Sequence, residues 1–245
     1  MGNQSFETED NAIIQTIQDA VRTDVIKVAP DEYLTRNVYL PPPKPHADEF
    51  KCSSLTGLVD YLNASVDENI LPRVVVHVIS PTKVEVLTAV EDVEQRRFTA
   101  LVAKADVPTI GLIGSFVAHE EAMIQLQALF VNEGQVVNVL KNLGSVVADE
   151  ELTQGDDGVT QEIVVKSMIE RGVQKMDNPV ALKPFRTFTE INQPESPFIL
   201  RLKKGNGLYV ALFEADGGKW RNKARTDIKD FLTEKIENKK IPILA

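Results

Sequence analysis

The chain has 245 residues, 43% of them hydrophobic and 26% charged, with a formal net charge of −9. That is enough chain to bury a substantial core, in a composition ordinary for a globular protein. Its single cysteine, Cys52, excludes an internal disulfide and a multi-cysteine metal site, and no apolar run approaches the roughly 20 residues of a membrane-spanning helix.

Charge is spread unevenly. Residues 201–245 hold 11 Lys or Arg against 6 Asp or Glu, whereas the first 200 hold 16 against 30. An acidic body with a basic closing segment disfavours extensive contact with nucleic acid, whose affinity rests on phosphate neutralisation, so weak binding or none is expected. Opposite potentials on one chain suit contact between copies instead. The opening "MGNQSFETEDN" has no basic region leading into an apolar one, which argues against a secretory signal and for a cytoplasmic location. Gly2 hints at myristoylation, but Phe6 stands where Ser or Thr is required.

In chain order, Ile13, Ile14, Ile17, Ala20, Val21 and Val25 predict an amphipathic helix with Asn11 as its N-cap. "YLPPPKPH" (Tyr39–His46) cannot be helical, because its prolines fix φ and remove donors. It predicts an extended strap, either a linker or an arm laid on a neighbouring subunit. Ser54 reads as the N-cap of a short helix carrying Leu55, Leu58, Val59 and Leu62. "RVVVHVIS", "KVEVLTAV" and "RRFTALVAKA" then alternate as three strands, with "PT" as a turn and "EDVEQ" as a loop. His77 is read as a cross-strand or core residue, since no second histidine stands at ligand spacing.

"EEAMIQLQALFV" (Glu120–Val131) and "QVVNVLKNL" predict a helical hairpin through "NEG". "ADEELTQGDDG" (Ala148–Gly158) is the most acidic stretch and is read as a boundary or mobile loop. Asp156 and Asp157 are turn formers there, because the full calcium-loop pattern is missing. The last third returns to strands: "QEIVVKSMI", "VALKPFRTFTEI" bending at Pro184, then "SPFILRLKK" and "LYVALFEA". Asn206-Gly207 joins the last two as a hairpin turn that exploits positive φ. A helix over residues 219–238 follows, with Trp220, Ala224, Ile228, Phe231 and Leu232 on one face, and "IPILA" closes the chain as a strand.

The expected fold is therefore α+β. Mostly antiparallel strands (Arg73–Ala105 and Gln161–Ala215) are covered by helices and preceded by the proline-rich strap. Three segments are distinguished: residues 1–45, 46–150 and 151–245, the last two open to forming one continuous domain.

"ALFEADGGKW" (Ala211–Trp220) is the stretch richest in chemistry. As a turn, Gly217 and Gly218 supply positive φ, Asp216 caps the following helix, and Trp220 folds back into the core. Lys219 fits that account worst, as a cation at the positive end of a helix dipole. Two functional readings use the same residues. The glycine turn with Lys219 and Arg221 can cradle a phosphate or carboxylate. Alternatively, Glu214 and Asp216 can share a metal ion. The structural turn is favoured over both. No GxSxG, HExxH, Walker or GxGxxG motif occurs, and Cys52 has no histidine placed as a base, so it is read as buried and inert. Neither a catalytic residue nor a cofactor is assigned.

In order and spacing, "GDDGVTQ", "NPVALKPFRTFTEINQPESPFILRL" and "ALFEADGGKW" resemble the YfdQ family of bacteriophage and prophage proteins. The likeness is weaker from Arg73 to Phe130 and does not reach the first 50 residues. It implies a phage or prophage origin and no established reaction. Its characteristic positions map onto Asp157, Gln161, Arg186, Phe188, Gln193, Pro194, Phe198, Arg201, Glu214, Asp216, Gly217, Gly218 and Trp220. Of these, Arg186, Gln193, Arg201, Glu214, Asp216, Gly217 and Gly218, together with Lys219, form the candidate ligand site or buried polar network. The expected function is a non-enzymatic accessory protein that assembles into a homo-oligomer. The alternatives are a nucleic-acid- or nucleotide-binding protein of phage recombination or anti-defence, and a metal-dependent hydrolase or nuclease.

Overall fold

The computed structural model describes residues 25–29, 32–35, 48–66, 73–90, 97–145, 154–156, 161–163 and 178–245. It divides into two compact units, Met1–His46 and Ala47–Ala245. In the first, Val25–Ala29 (β1) pairs antiparallel with Glu32–Thr35 (β2), Ile26 standing opposite Leu34. Val25 thus belongs to a strand and not to the expected helix. The β-branched residues Val25, Ile26 and Val28 favour an extended strand over a helix. The Asn11 cap, the rest of the helical pattern and the proline strap lie outside the described residues.

The second unit is an α+β fold with two mostly antiparallel sheets, as the sequence predicts. The first sheet holds five strands: Phe50–Cys52 (β3), Val74–Ser80 (β4), Lys83–Thr88 (β5), Thr99–Lys104 (β6) and Ile243–Leu244, the closing strand. Their spatial order is closing strand, β4, β5, β6, β3, with parallel pairing only at the two edges. Strict alternation puts Val74, Val76, Val78, Val84, Val86, Leu101 and Ala103 on one buried face. Two helices cover it. Leu55–Asn63 (α1) packs on β6, capped by the Ser54 hydroxyl, which accepts from the Gly57 N–H at 3.1 Å as expected. The closing helix packs on β4 through Ile228 and Leu232. His77 stands opposite Glu85 and beside Leu244, as a cross-strand residue.

The second sheet comprises Val117–Ala118 (β7), Val180–Leu182, Ser196–Lys204 and Leu208–Glu214. Between β7 and these strands, Gln154–Asp156 (β8) pairs with Gln161–Ile163 (β9). Residues 154–156 of the acidic stretch are therefore strand and not loop; Asp157 lies outside the described residues. The three longer strands are then β10, β11 and β12, and the sheet order is β10, β11, β12, β7, antiparallel throughout. Its inner face (Val180, Leu182, Phe198, Leu200, Leu202, Val210, Leu212) is covered by His119–Ala128 (α2) and Gln135–Ser145 (α3). The first of these helices stops at Ala128 because Phe130 and Val131 pair with Pro184 and Lys183 instead. The β11–β12 hairpin forms, but through the three residues Gly205–Gly207 between paired Lys204 and Leu208, with neither Asn206 nor Gly207 at positive φ. A three-residue connection removes the need for the two left-handed residues of the tightest hairpin turn. Trp220–Lys235 (α4) and the closing strand (β13) complete the chain.

Candidate functional site

One loop, residues 183–195, touches everything. Phe188 and Ile191 enter the core of the five-stranded sheet, while Leu182 just before it lies in the core of the four-stranded sheet. The Thr187 hydroxyl donates to the carbonyl of Pro81, in the β4–β5 turn. Gln193 fixes the loop on itself: its Oε1 accepts the Arg186 N–H at 3.0 Å and its Nε2 donates to the Phe188 carbonyl at 3.1 Å. Backbone groups in an irregular segment need such partners once buried, and a side-chain amide supplies both roles.

The loop delivers Arg186 to the end of the inner face of the four-stranded sheet. Its side chain is 10% exposed. Nη1 donates to Glu214 Oε1 at 2.8 Å; Nη2 donates to the Pro194 carbonyl at 3.0 Å and to the Ser196 hydroxyl. Register explains why these partners meet: Ser196 lies opposite Leu182 and Glu214 opposite Phe198, all on the core face. The guanidinium also lies 3.8 Å from the centroid of the Trp220 ring and 5.8 Å from that of Phe198. Burial lowers the Arg186 pKa to about 10 against the pull of Glu214 and Asp216, so it remains a cation at neutral pH.

Asp216 carries the network into the closing helix. Its Oδ1 accepts the Gly218 N–H at 2.8 Å; its Oδ2 accepts the Trp220 N–H at 3.1 Å and the Ser196 hydroxyl at 2.9 Å. Burial raises its pKa, but the Gly218 N–H, the Ser196 hydroxyl, the Trp220 N–H and the Arg186 charge outweigh burial and hold it below the ordinary aspartate range. Gly217 and Gly218 have φ of 63° and 80°, the left-handed conformation the turn requires. A Cβ on Gly217 would meet open space, whereas one on Gly218 would collide with Arg221 Nη1. Arg221 rests against Trp220, whose ring centroid lies 4.9 Å from its guanidinium.

Of the sequence candidates, Arg186, Gln193, Glu214, Asp216, Gly217 and Gly218 converge on this corner. Arg201 does not join it; three positions along β11 from Phe198, it faces outward opposite Ala211. Lys219 is exposed, and no ion pair joins it to Glu214 or Asp216 among the described residues. Trp220 is half-buried against Arg186 and does not enter either aliphatic core, which corrects the expectation that it folds under the helix. Ser196 was missed. Only its position three residues beyond Gln193, at the mouth of a strand, hints that its hydroxyl bridges Arg186 to Asp216. No group of three His, Cys, Asp or Glu side chains able to hold a metal occurs among the described residues. Cys52 sits half-buried with its thiol donating to the Ser54 carbonyl, and burial pushes its pKa up, while Lys51 turns to Glu49.

No family of proteins, curated protein or solved structure matches the chain. The corner must therefore be judged on its own chemistry. Both oxygens of Asp216 and one of Glu214 are engaged by donors within the chain, and the Arg186 fork is spent on Glu214, Pro194 and Ser196. The network ties strand, loop and helix together, while Arg186 Nε and Trp220 Nε1 are buried in it without a hydrogen-bond partner.

A second feature lies beside it. A cleft of about 820 Å³ is lined by Glu133, Glu190, Glu195, Asp227, Asp230 and Glu234, against two lysines, Lys183 and Lys223. Lys183 pairs with Glu133 at 2.6 Å and Lys223 with Asp227. The basic closing segment thus turns an acidic edge of α4 toward this cleft, a division that total charge conceals.

Proposed function

We propose that this protein is a non-enzymatic phage or prophage accessory protein that works as a homo-oligomer in the bacterial cytoplasm. The observation that supports the non-enzymatic reading is the mutual engagement of the side chains around Arg186. The residues with the richest chemistry, Arg186, Ser196, Glu214 and Asp216, hold one another. The phage origin rests on the resemblance of the three C-terminal segments to the YfdQ family. Self-assembly is supported by large apolar side chains left on the surface, including Phe116 at 43% and Phe213 at 37% exposure, and by the mainly acidic cleft that a cationic partner surface would suit. No helix among the described residues is long and apolar enough to cross a membrane.

Light scattering on the purified native protein tests the reading. A mass several times that of one chain at micromolar concentration is expected. A monomer under those conditions overturns it. Turnover of a nucleotide or nucleic acid that depends on a divalent metal and disappears in Glu214→Gln would restore the hydrolase alternative.

A further inference from the structure

The outer face of the four-stranded sheet is patterned. Antiparallel register places Ile199 opposite Phe213, Arg201 opposite Ala211, and Lys203 opposite Tyr209. Phe116, just before β7, meets Phe213 edge-on with centroids 6.2 Å apart, and the Lys203 ammonium lies 5.9 Å from the Phe116 centroid. Lys204 ends the strand exposed but on the other face, opposite the core residue Leu208. Two exposed aromatic rings form the kind of surface found at the centre of protein interfaces, where aromatic side chains are enriched, and Lys203 adds a cation beside them.

The acidic cleft lies at the other end of β11. Glu195 immediately precedes the strand and Lys203 lies one residue from its far end. Eight residues of extended chain separate them by about 27 Å. Lys203 and the cleft are therefore complementary in charge but too far apart to meet within one chain. We propose that copies join head to tail, the Phe116–Phe213–Lys203 face of one seating against the Glu190–Glu195–Asp230 cleft of the next. This rests on the self-assembly reading above. Because the two patches differ, the contact is heterologous and repeats from copy to copy, giving a closed ring or a filament. Single-stranded nucleic acid, the other occupant that aromatic and basic surfaces attract, is disfavoured. A patch neutralising about two phosphates gains little at physiological salt, and the rest of the chain is acidic.

Charge reversal tests this on the full chain, with far-ultraviolet circular dichroism to confirm that each variant is folded. Lys203→Glu reverses the face and Glu195→Lys/Asp230→Lys reverses the cleft. Each variant alone is expected to fall to the mass of a single chain, because it opposes like charges. Mixing the two should restore the wild-type mass, since every face then finds an opposite cleft. If wild type assembles and both variants keep its mass, the pairing is wrong while the self-assembly reading stands. If the mixture fails to reassemble, the pairing is likewise wrong. If wild type is itself monomeric, the self-assembly reading fails and takes this proposal with it. Wild-type monomer that binds a labelled oligothymidine, with loss in Lys203→Glu, would assign the face to nucleic acid.

Discussion

The guanidinium of Arg186 stacks 3.8 Å from the centre of the Trp220 ring while its Nη1 donates to Glu214, so a loop, a strand end and a helix start share one side chain. A buried cation on an indole face, desolvated and ion-paired, is held by the ring quadrupole and by the carboxylate together.

Replacing Arg186 should therefore be among the costliest changes to this unit. Arg186→Met leaves Glu214 without its buried partner and is expected to lower unfolding stability by about 3 kcal/mol, measured by urea denaturation. Arg186→Lys should recover little, because an ammonium cannot reproduce the planar fork that reaches Glu214, Pro194 and Ser196. A stability loss below about 0.5 kcal/mol in Arg186→Met would show that the network contributes little.

Trp220 is the chain's one tryptophan, so its fluorescence reports this corner. Arg186→Met should shift its emission while wild-type secondary structure persists. Trp220→Ala is expected to cost about 2–3 kcal/mol, less than the roughly 3–5 of a fully buried indole, because the ring is only half-buried. An emission spectrum indifferent to residue 186 would contradict the stacking.

Asp216 makes the corner acid-sensitive. Its folded pKa lies below its unfolded value, so the stability it contributes is fully present above the ordinary aspartate range and is lost as pH falls through the folded value. Asp216→Ala should cost about 1 kcal/mol at neutral pH, by freeing the Gly218 and Trp220 N–H groups it holds in the turn that leads into the helix. It should also flatten the acid limb of the stability profile, read from urea midpoints at about pH 5 and about pH 2. Equal acid sensitivity in wild type and variant would exclude this role.

The two glycines should behave alike. Gly217→Ala meets only the backbone penalty of positive φ, about 1 kcal/mol. Gly218→Ala meets the same penalty, because the one group in its way is the far end of the exposed Arg221 side chain, which can swing aside. A double-mutant cycle with Arg221→Ala should therefore show little coupling.

Lys219→Ala is expected to leave stability unchanged or slightly raised, since it removes an unpaired cation from a helix N-terminus. A thermal shift with inorganic phosphate that this variant abolishes would revive the anion-site reading.

Much of this protein is written locally. Period-two valines in Val74–Ser80 and Lys83–Thr88 can bury one face only as strands. Ser54 followed by Leu55, Leu58, Val59 and Leu62 specifies a capped amphipathic helix, and Asp216-Gly217-Gly218 specifies a turn. Each depends on residues within a few positions, where backbone preference and hydrophobic period suffice. The resemblance of the C-terminal segments also grouped Arg186, Gln193, Glu214 and Asp216, though without saying how. That Arg201 faces away, that Ser196 bridges Arg186 to Asp216, and that α4 turns carboxylates toward a cleft were decided by strand register and by packing of the loop 183–195 on the core of the five-stranded sheet. Those are long-range relations. A one-residue slip in β11 would send Ser196 and Glu214 to opposite faces, and no window of sequence contains both.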